Sequence, residues 1–177
     1  MLFRSEVGSM GNTGAKSDFT KLMLLELMEK CGEGANELNL LRALDKSYCL
    51  SADVNGAFDP SFPAPYEKRN CAMINYGVVI SNYTGARGKS GSSDASAELM
   101  GKIRKLFNEN EVLWHVGELG KVDAGGGGTI AQYVANLGVE TVDCGVPVLS
   151  MHAPFEVVSK LDVYMAYKAF HAFFNEG

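Results

Sequence analysis

The sequence holds no Cys-x-x-Cys pair, a single tryptophan and five prolines, and its apolar runs are all short. Its four cysteines, Cys31, Cys49, Cys71 and Cys144, lie far apart. That spacing suits neither a zinc knuckle nor a small disulfide framework, so reduced thiols are expected. The strongest apolar stretch, residues 22–28, is broken by Glu26 and falls well below the roughly 20 residues of a transmembrane helix. The opening Met-Leu-Phe-Arg-Ser-Glu has neither the apolar core nor the small-residue cleavage site of a secretory signal. A soluble, cytoplasmic protein with no membrane partner is the expectation. Positive charge is scarce as well: 16 Lys and Arg face 21 Asp and Glu, for a net charge of -5. No chain-wide positive field attracts a phosphate backbone, so nucleic acid is a poor partner.

What is present describes a folded globule. The 177 residues are 46% hydrophobic and 21% charged, enough for one domain with a real core and too few for two. An apolar run at residues 1–3 enters a loop with Gly8, Gly11 and Gly14. Ser17 or Asp18 then caps a helix whose Phe19, Leu22, Met23, Leu25, Leu27 and Met28 suit a buried face, ending near Gly32. Further helices are predicted at 36–46, at 95–108 behind Ser93 or Asp94, at 130–137 and at 157–174. Strands are predicted at 48–54, 78–80, 112–116, 139–143 and 146–149. Strands separated by helices predict an α/β layer structure without repeats or a long linker.

Three residues of metal-ligand type stand at the ends of these elements: Glu6 before a glycine turn, Asp53 after a strand and His152 in Ser-Met-His-Ala-Pro after another. Two carboxylates and an imidazole suit zinc or a similar divalent ion when they converge. Separation in sequence alone does not establish convergence, and solvated loop carboxylates and lone histidines are the commoner case. His115 alternates with apolar residues in a strand and reads as a hydrogen-bonded structural histidine. His171 reads as a packing or surface residue. Gly125, Gly126, Gly127 and Gly128, followed by Thr129, either aim backbone N–H groups at a carbonyl oxygen or anion or form a flexible turn. No Gly-Lys-Ser/Thr follows, so this is not a P-loop.

Longer motifs say more. Residues 6–14 read Glu-Val-Gly-Ser-Met-Gly-Asn-Thr-Gly, 49–54 Cys-Leu-Ser-Ala-Asp-Val, 117–129 Gly-Glu-Leu-Gly-Lys-Val-Asp-Ala-Gly-Gly-Gly-Gly-Thr, and 149–156 Leu-Ser-Met-His-Ala-Pro-Phe-Glu. With the tail at 159–170, they resemble, in order and over nearly the whole chain, the aminopeptidase I and aspartyl aminopeptidase family of zinc metallopeptidases. The resemblance implies a mixed sheet flanked by helices. It makes residues 1–177 the C-terminal half of a zinc-peptidase (phosphorylase/hydrolase-like) catalytic domain, without the N-terminal half and the inserted second domain. It implies two divalent ions, usually zinc with other ions possible, Glu6 and His152 holding one and Asp53 the other, and a substrate cleft lined by residues 125–129. Peptide substrates and a homo-oligomer in the complete protein follow from the same likeness.

The departures matter equally. Where the family carries Glu-Glu this chain has Ser5-Glu6, and the first glutamate is the family's general base; a serine cannot take that proton at neutral pH. The family's other metal histidine and its bridging aspartate belong to an earlier segment. A truncated gene, a frameshift or a deliberate cut would each account for this. The expectation is a metallo-aminopeptidase in fragment form, inactive or weakly active; the alternatives are a non-catalytic association module and, less favoured, an anion-binding loop. Lys121 and Arg87 are basic groups available to an acidic substrate, while Ser-Ala-Asp-Val-Asn-Gly-Ala-Phe-Asp-Pro at 51–60 favours the aminopeptidase I branch.

Overall fold

A computed structural model describes residues 10–87, 90–121 and 123–176. Along the chain these form α1 (Phe19–Cys31), α2 (Glu37–Asp45), β1 (Tyr48–Ser51), β2 (Asn55–Gly56), β3 (Val78–Ser81), β4 (Gly85–Ala86), α3 (Ala97–Glu109), β5 (Trp114–Val116), β6 (Gly126–Gly127), α4 (Ala131–Ala135), β7 (Glu140–Gly145), β8 (Pro147–Leu149), β9 (Val157–Val158) and α5 (Lys160–Glu176). The main sheet runs β1-β7-β3-β5, beside a smaller β2-β8-β9 sheet and a β4-β6 pair. Within the main sheet β1 is parallel to β7 and β3 to β5, but β3 and β7 are antiparallel. The predicted mixed α/β architecture is therefore present. Among the described residues no helix is long and apolar enough to cross a membrane.

Alternation in the strands builds two layers. Val78 and Ile80 of β3, with Val142 and Cys144 of β7, face one side and pack on Leu99, Ile103 and Phe107 of α3 and Ala166 and Ala169 of α5. On the other side, Cys49 of β1 joins Leu40 and Leu44 of α2 and Val139 in a smaller cluster. Because side chains alternate along a strand, Ser51, Ser81 and Asp143 fall on the face away from α3 and α5. That face carries the site.

Several boundaries differ from the sequence reading, each for a local reason. Ser96, not Ser93 or Asp94, caps α3: its Oγ accepts the Leu99 N–H at 3.1 Å and donates to Glu140 Oε2 at 2.5 Å. The last helix begins at Lys160 rather than 157, since Val157 and Val158 pair with Leu149 and Val148. Ser159 marks the transition, its Oγ accepting the Leu161 N–H. The predicted strand at 48–54 breaks after Ser51 and resumes at Asn55. The helix expected at 130–137 contracts to α4.

The largest correction concerns α1. None of its residues is buried. Leu24, Leu25 and Met28 rest against the smaller cluster, while Phe19, Leu22, Met23 and Leu27 are exposed. Its apolar residues lie all round the helix, so α2 covers only part of its circumference. At its start Ser17 Oγ accepts the Phe19 N–H at 3.3 Å, and Asp18 makes no side-chain cap.

Candidate metal and peptide cleft

Asp53 lies in the break between β1 and β2. Its Oδ1 accepts the Val54 N–H at 2.7 Å, which orients the carboxylate from its own backbone. Its carbonyl oxygen rests against Gly145 of β7, where an added Cβ would sit 1.2 Å from it. Any other residue there would push Asp53 away.

His152 follows β8 in a turn that places Ser150 (φ 56°) and His152 itself (φ 67°) in the left-handed region, sparsely used by residues with a Cβ. The turn is held by the Ala153 N–H donating to Ser150 O at 2.9 Å and by the His152 N–H donating to Glu156 Oε1 at 2.5 Å.

Asp53, His152 and the whole 125–129 segment line one open cleft of about 510 Å³. Part of the glycine run is paired strand rather than turn. Gly126 and Gly127 form β6 and pair with Ala86 and Gly85, and at Gly126 (φ +105°) an added Cβ would meet Gly85 O at 2.2 Å. Val54, Pro65, Tyr66, Leu119 and Met151 supply apolar wall, and Tyr66 is set edge-on against Phe58 with ring centroids 5.9 Å apart. Lys121 and Arg87 are exposed and neither lines the cleft.

A carboxylate oxygen and an imidazole nitrogen are donors that zinc accepts, so Asp53 and His152 fit that ion in kind. Among the described residues they do not complete a site: no group of three or more His, Cys, Asp or Glu is placed to hold a metal. Glu6, the expected third ligand, and Ser5 lie outside the described residues.

Comparison with known proteins supplies the frame for this geometry. The family model for aminopeptidase I zinc metalloproteases (M18) matches residues 2–174. The chain belongs to the M18 family. A probable M18 family aminopeptidase 1 of Clostridium acetobutylicum is 46% identical over 172 residues, covering 97% of this chain and 37% of the relative. Its counterpart in Thermotoga maritima is 41% identical over 169 residues, covering 96% and 38%. The crystal structure of aminopeptidase I from Clostridium acetobutylicum superimposes with a TM-score of 0.86 at 44% identity over 97% of this chain and 36% of that one. The M18 structure from Thermotoga maritima gives 0.90 at 41%, over 94% and 37%. The chain thus spans less than two fifths of the length of these relatives.

Beneath the cleft of this M18 chain is a residue that the sequence reading passed over. Asp143, in the middle of β7, is 7% exposed. Its Oδ2 accepts the Thr129 hydroxyl at 3.0 Å, and Thr129 Oγ1 in turn accepts the Ala131 N–H at 3.2 Å. Burial pushes the Asp143 carboxyl up to about 6, and the charge of Asp53 adds to the rise. The nearby Ser51 and Thr129 hydroxyls oppose it, although Ser51 Oγ falls short of a formed hydrogen bond. The available signal was a carboxylate flanked directly by apolar Val142 and Cys144 within a strand. The two other histidines behave as expected. His115 Nε2 accepts the Met73 N–H at 3.0 Å, so the ring is the Nδ1–H tautomer facing Tyr76 O at 3.1 Å. His171 is exposed on α5 beside Tyr167.

Proposed function

We propose that this chain is the C-terminal part of a metallo-aminopeptidase catalytic domain, and that Asp53 and His152, with Glu6, are its contribution to a two-zinc site. The observation that carries this reading is the shared cleft: two ligand-type side chains from separate strand ends line it together with the glycine segment of the family motif. When bound, two zinc ions would polarise the scissile carbonyl and lower the pKa of the attacking water. The chain's own residues do the rest. Val54 N–H and the Gly145 contact aim Asp53, the Glu156 carboxylate holds the His152 turn, and the β4-β6 pairing fixes residues 125–129 as one wall against which a peptide lies. The apolar wall of Val54, Pro65, Tyr66, Leu119 and Met151 suits an apolar N-terminal residue.

Zinc titration calorimetry tests this directly. Weak binding is expected for the unmodified chain, reduced in His152→Ala, in Glu6→Gln and in Asp53→Asn; binding unchanged in all three variants overturns the assignment. On aminoacyl p-nitroanilides the 177 residues alone are expected to show little or no chelator-sensitive turnover. Position 5 offers no base, and general-base catalysis contributes about a hundredfold to ten-thousandfold. A non-catalytic association module is the second reading, favoured by the exposed apolar side of α1. The same surface supports a homo-oligomer for the complete protein, and four free cysteines support a cytoplasmic location.

A further inference from the structure

The cleft accounts for Asp53 and His152 but not for the polar row under it. In the main sheet Asp143 is the register partner of Ser51 in β1 and of Ser81 in β3. Directly opposed residues share a face, so these three polar side chains stand side by side. Asn55 reaches the same row: its Nδ2 donates to Ser81 Oγ at 2.9 Å and to Gly117 O at 3.4 Å, while Ser81 Oγ donates to Gly117 O at 2.8 Å. With both acceptors engaged by Nδ2, the orientation of the amide is fixed. Asn55 Oδ1 then has no partner, and neither do Asp143 Oδ1 and Ser51 Oγ. Asn55 and Asp143 are each 7% exposed.

Asn55, Ser81 and Asp143, together with Asp53, Thr84 and Thr129, line a cavity beneath the cleft with room for about one water-sized occupant. Buried acceptors left without a donor are costly, and a buried carboxylate more so. Two carboxylates border this space, and no Lys, Arg or His lines it among the described residues. A water molecule would satisfy two acceptors but leave the buried Asp143 charge uncompensated. A cation does both. The side-chain donors are oxygens, some neutral and some charged, which suits hard cations and disfavours soft ones.

We propose that this cavity is a binding site for a single hard cation of the alkali or alkaline-earth class, held by Asn55 Oδ1 and Asp143 Oδ1 with the Ser81 hydroxyl beside them. It lies on the sheet side of Thr129, and Asp53 is the wall it shares with the cleft. Through the Asp143–Thr129 bond an ion there fixes the end of the glycine segment.

The test uses the full chain, stripped with chelator and kept in tetramethylammonium buffer. Melting temperature is followed while potassium, sodium, magnesium or calcium chloride is added, each against tetramethylammonium chloride of equal ionic strength. One of these cations is expected to raise the midpoint by several degrees, saturably. The rise is lost in Asp143→Asn and retained in His152→Ala, which separates this site from the zinc cleft. No rise beyond the tetramethylammonium control, or an equal rise in Asp143→Asn, overturns the proposal. Should Asp143→Asn fail to fold, rubidium and terbium soaks of crystals of the unmodified chain decide. An anomalous peak within coordination reach of Asn55 Oδ1 and Asp143 Oδ1 supports the site, and a water alone at that position overturns it.

Discussion

His115 shows how one ring can record the pH range in which the fold is comfortable. Burial lowers its pKa, with the Tyr76 carbonyl and the charge of Asp162 pulling the other way. Its Nε2 must stay unprotonated to accept the Met73 N–H. An unfolded chain takes up a proton at the ordinary histidine value while the folded one resists until lower pH, so stability is full above that value and falls as pH drops through the interval. Urea midpoints measured between pH 7.5 and 5 are expected to decline, and His115→Gln should flatten the part due to this ring. Asp162 is a second such residue. It is wholly buried and accepts backbone N–H groups from Asn75 and Gly77, both at 2.8 Å. Asp162→Asn turns an amide N–H toward one of them and should cost about 2 to 3 kcal/mol, read from chemical denaturation. At this scale the sequence was uneven. His115 was legible as structural because it alternates in an apolar strand. The Ser51–Asp143–Ser81 row was not, because it exists only once β1, β7 and β3 have found their register.

Elements were legible where one period dominated. The buried Leu99, Ile103 and Phe107 of α3 recur at helical spacing within the helix expected at 95–108, and strands β3 and β7 fall close to where they are expected. Ends were misplaced where a side chain decided them from a distance, as Glu140 does by taking the Ser96 hydroxyl. Ser96→Ala should therefore destabilise by about 1 kcal/mol, a cap loss measurable by thermal melting. α1 was misread for another reason: apolar residues on all sides say that a helix needs cover, but not whether these residues supply it. Leu22 is 58% exposed and Leu27 54%. Lysine at either position should change stability by less than about 0.5 kcal/mol while lowering self-association in sedimentation velocity. A large loss of stability would show that the face is already covered.

For the whole molecule, the layers are complete on the α3–α5 side and partial on the α1–α2 side, in a chain that spans 37% of its Clostridium relative. Supplying the remaining portion of such a relative in trans, together with Ser5→Glu, is expected to restore chelator-sensitive aminopeptidase turnover far beyond what Ser5→Glu achieves alone. Equal activity with and without the added portion would refute the division of the site between two segments.

The contact between Gly145 and the Asp53 carbonyl also sets an order of events. These residues are distant in sequence, and Asp53 has no place to rest until β7 has docked beside β1. Such long-range pairing is slow to form because loop closure precedes any compensating contact. In kinetic terms, the Asp53 segment is expected to order only once β7 has docked on β1. Conservative substitutions at Val54 should then leave the refolding rate nearly unchanged and appear almost entirely in unfolding, whereas truncating Phe107 should slow refolding. Retained refolding with faster unfolding in the Val54 variants would mark Asp53 as a late-forming edge of the cleft.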